Sequence, residues 1–460
     1  MSVAERVQPL ERYAGPENVA LPAGYRIEPV ATGLNYPTSV TWDGDGNLLV
    51  AESTVPFGRV ARTEIRILRR AADGSLTPVA GGFAHLINDI AVHEGRLYVS
   101  QRGRISVVEA GRLRDLITGL PSWGMHHNSA LAFGPDGRLY FGQGTITNAG
   151  AVDSYALGDL RRSGHLGDHD IPGASVVLTG HNYQSTDLLA TGETRIVGAF
   201  SPWGTPTTPG ERRPGPAPGQ AASGAIMSAN PDGSDLRVYA WGLRNPYGLA
   251  FAPDGRLYAT NNGANRIPPR RISADPDALW RVEEGAWYGW PDYYAGQPVT
   301  EPSFKPPDAP RHPFLIANHD ELLKGRPRPP GPVLSFGLHV APTKLDFCRR
   351  PDFGFAGQAF VPLFGSMLTS LEQVSASLPL GHKVVRVDVA EGSVSDFATN
   401  RSGRPASASG SAGGLERPIQ ARFGPDGALY IVDFGILELP DGGWVAHPGT
   451  GTVWRVTRSA

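Results

Sequence analysis

The 460 residues carry 42 Lys and Arg against 44 Asp and Glu, a formal net charge of −2, which excludes a nucleic-acid binder built on a basic face and an acidic solvating tail. The 58 glycines and 42 prolines come close to twice the usual share of these residues, while 40% hydrophobic and 9% aromatic residues are ample for a core, so the chain reads as a large globular protein with many tight turns and not as a helical bundle. One cysteine, Cys348, excludes an internal disulfide and any cysteine-clustered zinc or iron–sulfur site.

The opening residues 1–28 contain no apolar stretch long enough for the core of a signal peptide. No run in the chain approaches the length of a transmembrane helix. The expectation is a cytoplasmic protein as the sequence stands, periplasmic or secreted if a leader has been removed, with neither membrane nor nucleic acid as a partner.

Past an N-terminal extension, 1–20, two short phrases alternate along the chain. TWDGDGNLLVAES (41–53) is followed by TEIRILRRAADGS (63–75), and AVHEGRLYVSQRG (91–103) by GRISVVEAGR (103–112). AFGPDGRLYFGQG (132–144) has its partner GAIMSANPDGS (224–234) only after a long insertion, and AFAPDGRLYATNNG (250–263) leads to DALWRVEEGA (277–286). A degenerate copy without Asp-Gly, FGFAGQAFVPLFGS (353–366), precedes HKVVRVDVAEGS (382–393), and RFGPDGALYIVDFG (422–435) precedes GTVWRVTRS (451–459). Asp-Gly between two short alternating runs marks a hairpin, because glycine supplies the positive φ that the turn needs. Six such pairs predict an all-β chain, a six-bladed β-propeller of four-stranded antiparallel blades over 21–460, with long loops on one face. The insertions 145–223 and 291–334 are the longest loops, rich in Pro and Gly, and loops on a rigid scaffold are where ligand sites gather.

Three polar residues, His126, His127 and Asn128, enter the otherwise apolar strand of the third unit. An imidazole there suits a general base, its pKa lying near neutrality; a hydrogen-bonded turn histidine is the equal alternative. In WGLRNPYGLAF (241–251), Arg244 and Asn245 sit in a turn fixed by Pro246. The guanidinium fork suits a carboxylate or quinone oxygen; a structural Arg–Asp pair fits as well.

These phrases, WGLRNPYGLAF, HNSALAFGPDG (127–137) and AWYGWPD (286–292), resemble in their order the soluble glucose/sorbosone dehydrogenases, and the resemblance covers roughly residues 21 to 457. It implies a six-bladed propeller that oxidises a sugar or related alcohol or aldehyde by hydride transfer to pyrroloquinoline quinone (PQQ) with calcium. It implies His127 as the base, with His126 and Asn128 beside it as cofactor-binding residues. It implies Arg244, Asn245 and Arg417 against the cofactor, and calcium held by backbone carbonyls of Asn262, Gly263 and Ala264. An external electron acceptor is then a partner. A quinone gaining hydride develops oxyanion character that a cation stabilises. The chain also departs from the family pattern. His126 replaces an acidic residue, Ile419 a second arginine and Gly365 a lysine, and Asp277-Ala278 stands where Asp-Glu is usual.

A competing site lies in the insertion 145–223, where His165, His169 and His181, with Asp168 and Asp170, have the residue types to hold a divalent metal without matching a sharp motif. On that reading the propeller acts without quinone as a metal-assisted hydrolase, lyase or isomerase; a non-catalytic glycan-binding module is the third possibility. His312, His319 and His339 are later candidates for the same face. The aromatic run at 280–294 suits stacking on a sugar or a planar cofactor, with Trp287 and Trp290 expected to pack between the fourth and fifth units and Tyr293 and Tyr294 to be more open.

Overall fold

The computed structural model describes residues 10, 12–55, 59–60, 63–366, 380–408, 413–438 and 444–459. The repeat turns form as their sequence dictates. In GPDG of the third unit, Gly137 adopts φ 74°, its N–H bonds the carbonyl of Gly134 at 2.9 Å, and the Tyr140 hydroxyl donates to Asp136 at 2.8 Å. The sixth unit repeats the device, with Gly427 at φ 78° and Tyr430 donating to Asp426 at 3.1 Å. The Asp-Gly-x-Leu-Tyr phrase is therefore a turn whose aspartate is tied to the strand that follows.

The strands assemble into six antiparallel sheets, the blades of a six-bladed β-propeller. The first three blades are Pro37–Trp42, Leu48–Glu52, Arg66–Arg70 and Leu76–Ala80; Ile87–His93, Arg96–Gln101, Arg104–Glu109 and Arg112–Thr118; and Asn128–Phe133, Leu139–Gln143, Ala225–Ala229 and Arg237–Trp241. The fourth is Pro246–Phe251, Leu257–Asn261, Asp277–Val282 and Leu334–Gly337, and the fifth is Asp346–Phe347, Ala359–Leu363, Lys383–Asp388 and Ser393–Asn400, which Val19–Ala20 extends by one edge strand. The sixth joins Pro418–Phe423, Leu429–Asp433 and Gly451–Arg458 to the early strand Tyr25–Leu34, so one blade is closed by both ends of the chain. Both insertions carry structure of their own. Within 145–223 lie the helix Ser154–Ser163, the hairpin of Asn182–Thr186 with Thr194–Gly198, and a short pairing of Val176–Val177 with Arg212–Arg213.

The chain divides into two compact units: the described residues of Met1–Asp115, Ala250–Gly255 and His339–Ala460 form one, and Leu116–Leu249 with Arg256–Leu338 form the other. The core of the first unit is aromatic, with Phe360 edge-on to Phe397 at 4.8 Å and Phe353 edge-on to Phe423 at 5.0 Å around the buried Trp454. A polar lacing crosses the same unit. Lys344 is 2% exposed, and its ammonium donates to the carbonyls of Thr38 at 2.7 Å and Asn88 at 2.5 Å, on the first strands of blades one and two. Gln420 accepts from Val40 N–H at 2.6 Å and donates to Asp89 at 3.1 Å, adding blade six.

Burial, with Arg422 nearby, lowers the Lys344 pKa to about 8 although Asp89 opposes it. Above that pH the folded protein has released a proton that the unfolded chain keeps until its ordinary value of 10.5, so this lysine makes stability rise with pH across that window. We expect Lys344→Met to lower stability by about 1–3 kcal/mol, because two buried carbonyls lose their donor. It should also flatten the rise above pH 8, both effects read from urea unfolding at a series of pH values.

Candidate active site

The second unit holds most of the residues singled out from the sequence. Asn128, the first residue of its strand, is buried, with its side-chain oxygen accepting from Ser122 Oγ at 2.9 Å. His126 is buried as well, its Nδ1 2.8 Å from the Thr145 carbonyl and 3.2 Å from Thr145 Oγ1. Burial and the charge of Arg244 hold its pKa well below the ordinary histidine value, which keeps the ring neutral at physiological pH. His127 is half-buried at the strand entrance.

Glycine decides how this entrance meets the next blade. A Cβ on Gly142 would lie 2.1 Å from the Pro246 carbonyl oxygen. One on Gly144 would lie 2.4 Å from His126 Cβ and 3.0 Å from Asn245 Oδ1. The histidine pair and the Arg-Asn pair thus meet across Gly144, in register through Thr145 N–H to Arg244 O at 2.9 Å.

Arg244 is buried and heavily bonded. Its Nε donates to Asn148 O at 3.1 Å and Nη2 to Asn148 Oδ1 at 2.9 Å. Its Nη1 donates to Gly263 O at 2.8 Å and Asn262 O at 3.3 Å. Asn148 is fixed in turn: its N–H donates to Asp153 at 2.9 Å, its amide donates to Asn265 O at 2.8 Å, and Asn265 N–H returns a bond at 2.9 Å. Asp153 also caps the helix Ser154–Ser163 through Tyr155 and Ala156 N–H, both at 3.0 Å, the favoured role of aspartate at that position. The loop 262–264 gives its N–H groups to carboxylates, Gly263 to Asp277 at 2.8 Å and Ala264 to Asp275 at 2.6 Å. Burial foremost, with Asp277 adding, lifts Asp275 to about 7 against the pull of Arg244 and the Ala264 bond. Burial lowers the Arg244 pKa, opposed by those two carboxylates. Asn245 is half-buried and donates to Asn262 Oδ1 at 3.0 Å.

The other predicted residues are dispersed. In the first unit Arg417 is buried, with its guanidinium donating to the carbonyls of Leu437 at 3.1 Å, Ser366 at 3.3 Å and Phe364 at 3.4 Å; burial lowers its pKa to about 10. Gly365 stands at φ 99°, and a Cβ there would lie 2.4 Å from His382 Nε2, so the His382 ring occupies the space beside the position of the absent lysine. Burial, with Arg417 nearby, lowers His382 to about 4. In the second unit His165 bonds Asp168 at 3.0 Å and stacks on Trp123 at 4.5 Å, His169 is half-buried with Nδ1 3.2 Å from the Gly167 carbonyl, and His181 packs edge-on to Tyr183 at 5.1 Å. Among the described residues no three His, Cys, Asp or Glu side chains gather as a metal-holding group. His312 bonds Arg271 O at 2.7 Å and His319 bonds the buried Asp292 at 3.0 Å. The aromatic run needs correction. Tyr294 is 3% exposed and not open, Trp287 packs on Trp241 at 5.7 Å and Trp290 on Phe200 at 6.0 Å, so the two tryptophans face the third blade and its insertion instead of blade five.

The sequence reading missed Asn148, Asp275 and His382. Asn148 alone had a local signal, a lone amide in the otherwise small and apolar run ITNAGAV (146–152).

The fold is a six-bladed β-propeller, and residues 219–312 match the family model described as Glucose / Sorbosone dehydrogenase, where the resemblance drawn from the sequence holds. The quinoprotein glucose dehydrogenase B of Acinetobacter calcoaceticus is 24% identical over 189 residues, which is 39% of this chain and 28% of that protein. Among solved structures, the holo PQQ domain of a pyranose dehydrogenase from Coprinopsis cinerea is 19% identical with a TM-score of 0.58, covering 97% of this chain and 98% of that one. The calcium structure of a Trichoderma reesei carbohydrate-active enzyme of family AA12 is 16% identical with a TM-score of 0.56, covering 98% and 99%. At these identities the structures share the fold. No helix among the described residues is long and apolar enough to cross a membrane.

Gly144→Ala should lower stability by about 1–3 kcal/mol, the usual cost of overpacking, because a methyl group there forces His126 and Asn245 apart. Guanidinium unfolding against wild type measures it, and an unchanged midpoint would show that the two entrances have slack.

Proposed function

We propose that the protein oxidises a hydroxyl group of a small sugar, or a related alcohol or aldehyde, with His127 as the base that receives the proton and PQQ as the hydride acceptor. One observation carries the reading: the Gly144 junction, where His126, next in the chain to His127, and Asn245, next to Arg244, approach to within contact of the same point. The neutral His126 is tied to Thr145 and so serves to hold the turn, which leaves the half-buried His127 as the imidazole suited to a substrate hydroxyl. An imidazole, whose ordinary pKa lies near neutrality, is suited to take a hydroxyl proton.

When bound, the quinone supplies an electrophile that accepts the hydride. The donors of this chain that suit a quinone oxygen are the Asn245 amide and the guanidinium N–H of Arg244 left over from its four bonds to Asn148, Asn262 and Gly263. They fit a carbonyl oxygen better than a row of carboxylates. The alcohol oxygen gives its proton to His127 as the carbon loses a hydride, giving a carbonyl product; the two electrons would leave the site with an external acceptor. Calcium does not fit the loop 262–264 as it stands, because two of its carbonyls already accept from Arg244, and no step is assigned to it.

Protein reconstituted with PQQ and assayed by sugar-dependent dye reduction tests the reading. His127→Ala should lower kcat by roughly 10²–10⁴-fold, the range for removal of a general base, with quinone binding unchanged. Retention of full activity in that variant would remove His127 from the chemistry, and failure to bind micromolar PQQ would remove the quinone.

A further inference from the structure

We infer that the cation position which the family resemblance gives to calcium is filled from within by the guanidinium of Arg244, so that this site works without a divalent ion. The inference concerns the cation alone and stands whether or not His127 oxidises sugars.

The loop 262–264 has its polar groups divided between two partners. Its N–H groups at Gly263 and Ala264 go to Asp277 and Asp275 at 2.8 and 2.6 Å. Its carbonyls at Gly263 and Asn262 accept from Arg244 Nη1 at 2.8 and 3.3 Å. Calcium needs six to eight oxygen ligands, and two of the three carbonyls in this loop are already committed to a positive group.

That positive group is held in place. Nε and Nη2 of Arg244 bond the carbonyl and the side-chain oxygen of the same residue, Asn148, at 3.1 and 2.9 Å, a planar two-point grip that a guanidinium makes and a lysine cannot. Asn148 is anchored by Asp153, by both exchanged bonds with Asn265 and by Trp290 Nε1 at 3.3 Å. Swinging Arg244 aside to admit a metal would take one donor from each buried oxygen of Asn148, leaving the carbonyl with Trp290 Nε1 alone and the side-chain oxygen with Asn265 N–H alone. Admitting a metal beside it would set a double positive charge against a buried single one. The charge is also partly countered, since Asp275 and Asp277 lie close enough to act on Arg244.

The ligand that such a site takes is a neutral or singly anionic oxygen reached by the remaining guanidinium N–H and the Asn245 amide. A metal-bridged ligand is not required.

Terbium substitutes for calcium and is excited by a nearby tryptophan, and Trp290 lies within this network. Chelator-treated wild-type protein titrated with terbium should give no saturable emission that Trp290→Phe abolishes and excess calcium displaces. Arg244→Met, which frees both carbonyls, should gain such emission. If wild type shows saturable, calcium-displaceable emission that disappears in Trp290→Phe, the inference is overturned. The wild-type titration decides the matter even if Arg244→Met does not fold.

Discussion

The candidate site depends on a backbone approach that only glycine permits. In the second unit, a Cβ on Gly142 would lie 2.1 Å from Pro246 O, and one on Gly224 would lie 2.1 Å from Leu243 O. The same segments are bonded where they touch, Leu243 N–H to Gly224 O at 3.0 Å and Ser129 Oγ to Pro246 O at 2.7 Å. Main chain therefore sets the register between the entrance of blade three, with its two histidines, and the turn that opens blade four, with Arg244 and Asn245. Side chains on loops adjust by rotamer, but residues held by this contact move only if two strands move.

A buried cation follows from that geometry. The turn at 244 points into a region lined by carbonyls and amides, and burying an arginine there is tolerable only if each N–H finds an oxygen and the charge is offset. Four of the N–H groups find oxygens at short range, from Asn148 and the loop 262–264, which leaves one for a ligand, and Asp275 and Asp277 act on the charge. The arrangement reaches outward as well, because the same guanidinium adds to the burial that lowers the pKa of His126, the ring that fixes the turn before His127. One charge thus organises the loop and the histidine entrance together.

What could be read from the sequence was local. The hairpins are legible because turn, capping aspartate and tyrosine fall within five residues, as Asp136 and Tyr140 do, and the blade count follows from their repetition. The His-His-Asn and Arg-Asn pairs were legible for the same reason, as polar residues breaking apolar strands. Asn148 shows locally only as a lone amide in ITNAGAV; its role was not legible, since its partners Arg244 and Asn265 lie 96 and 117 residues away. Tyr294 follows Tyr293 directly, yet one is buried and the other half-buried, a difference made by the chain that packs over them and not by their composition.

The family departures gain a physical meaning in the first unit. Gly365 is not simply a missing lysine: its backbone sits at φ 99°, which side chains rarely adopt, and His382 fills the room a side chain would need. That ring bonds the Glu416 carbonyl at 2.6 Å and has its pKa lowered to about 4, so a neutral group stands where the pattern has a cation. Ile419 makes the same exchange and is buried. Arg417 keeps its charge, at a pKa of about 10, but it spends its donors on the carbonyls of Leu437, Phe364 and Ser366, much as Arg244 does on Asn262 and Gly263. Arginines stabilised by backbone dipoles rather than by ligand carboxylates hold their geometry in advance of any ligand. They suit an oxygen that needs one directed donor, as a quinone carbonyl does.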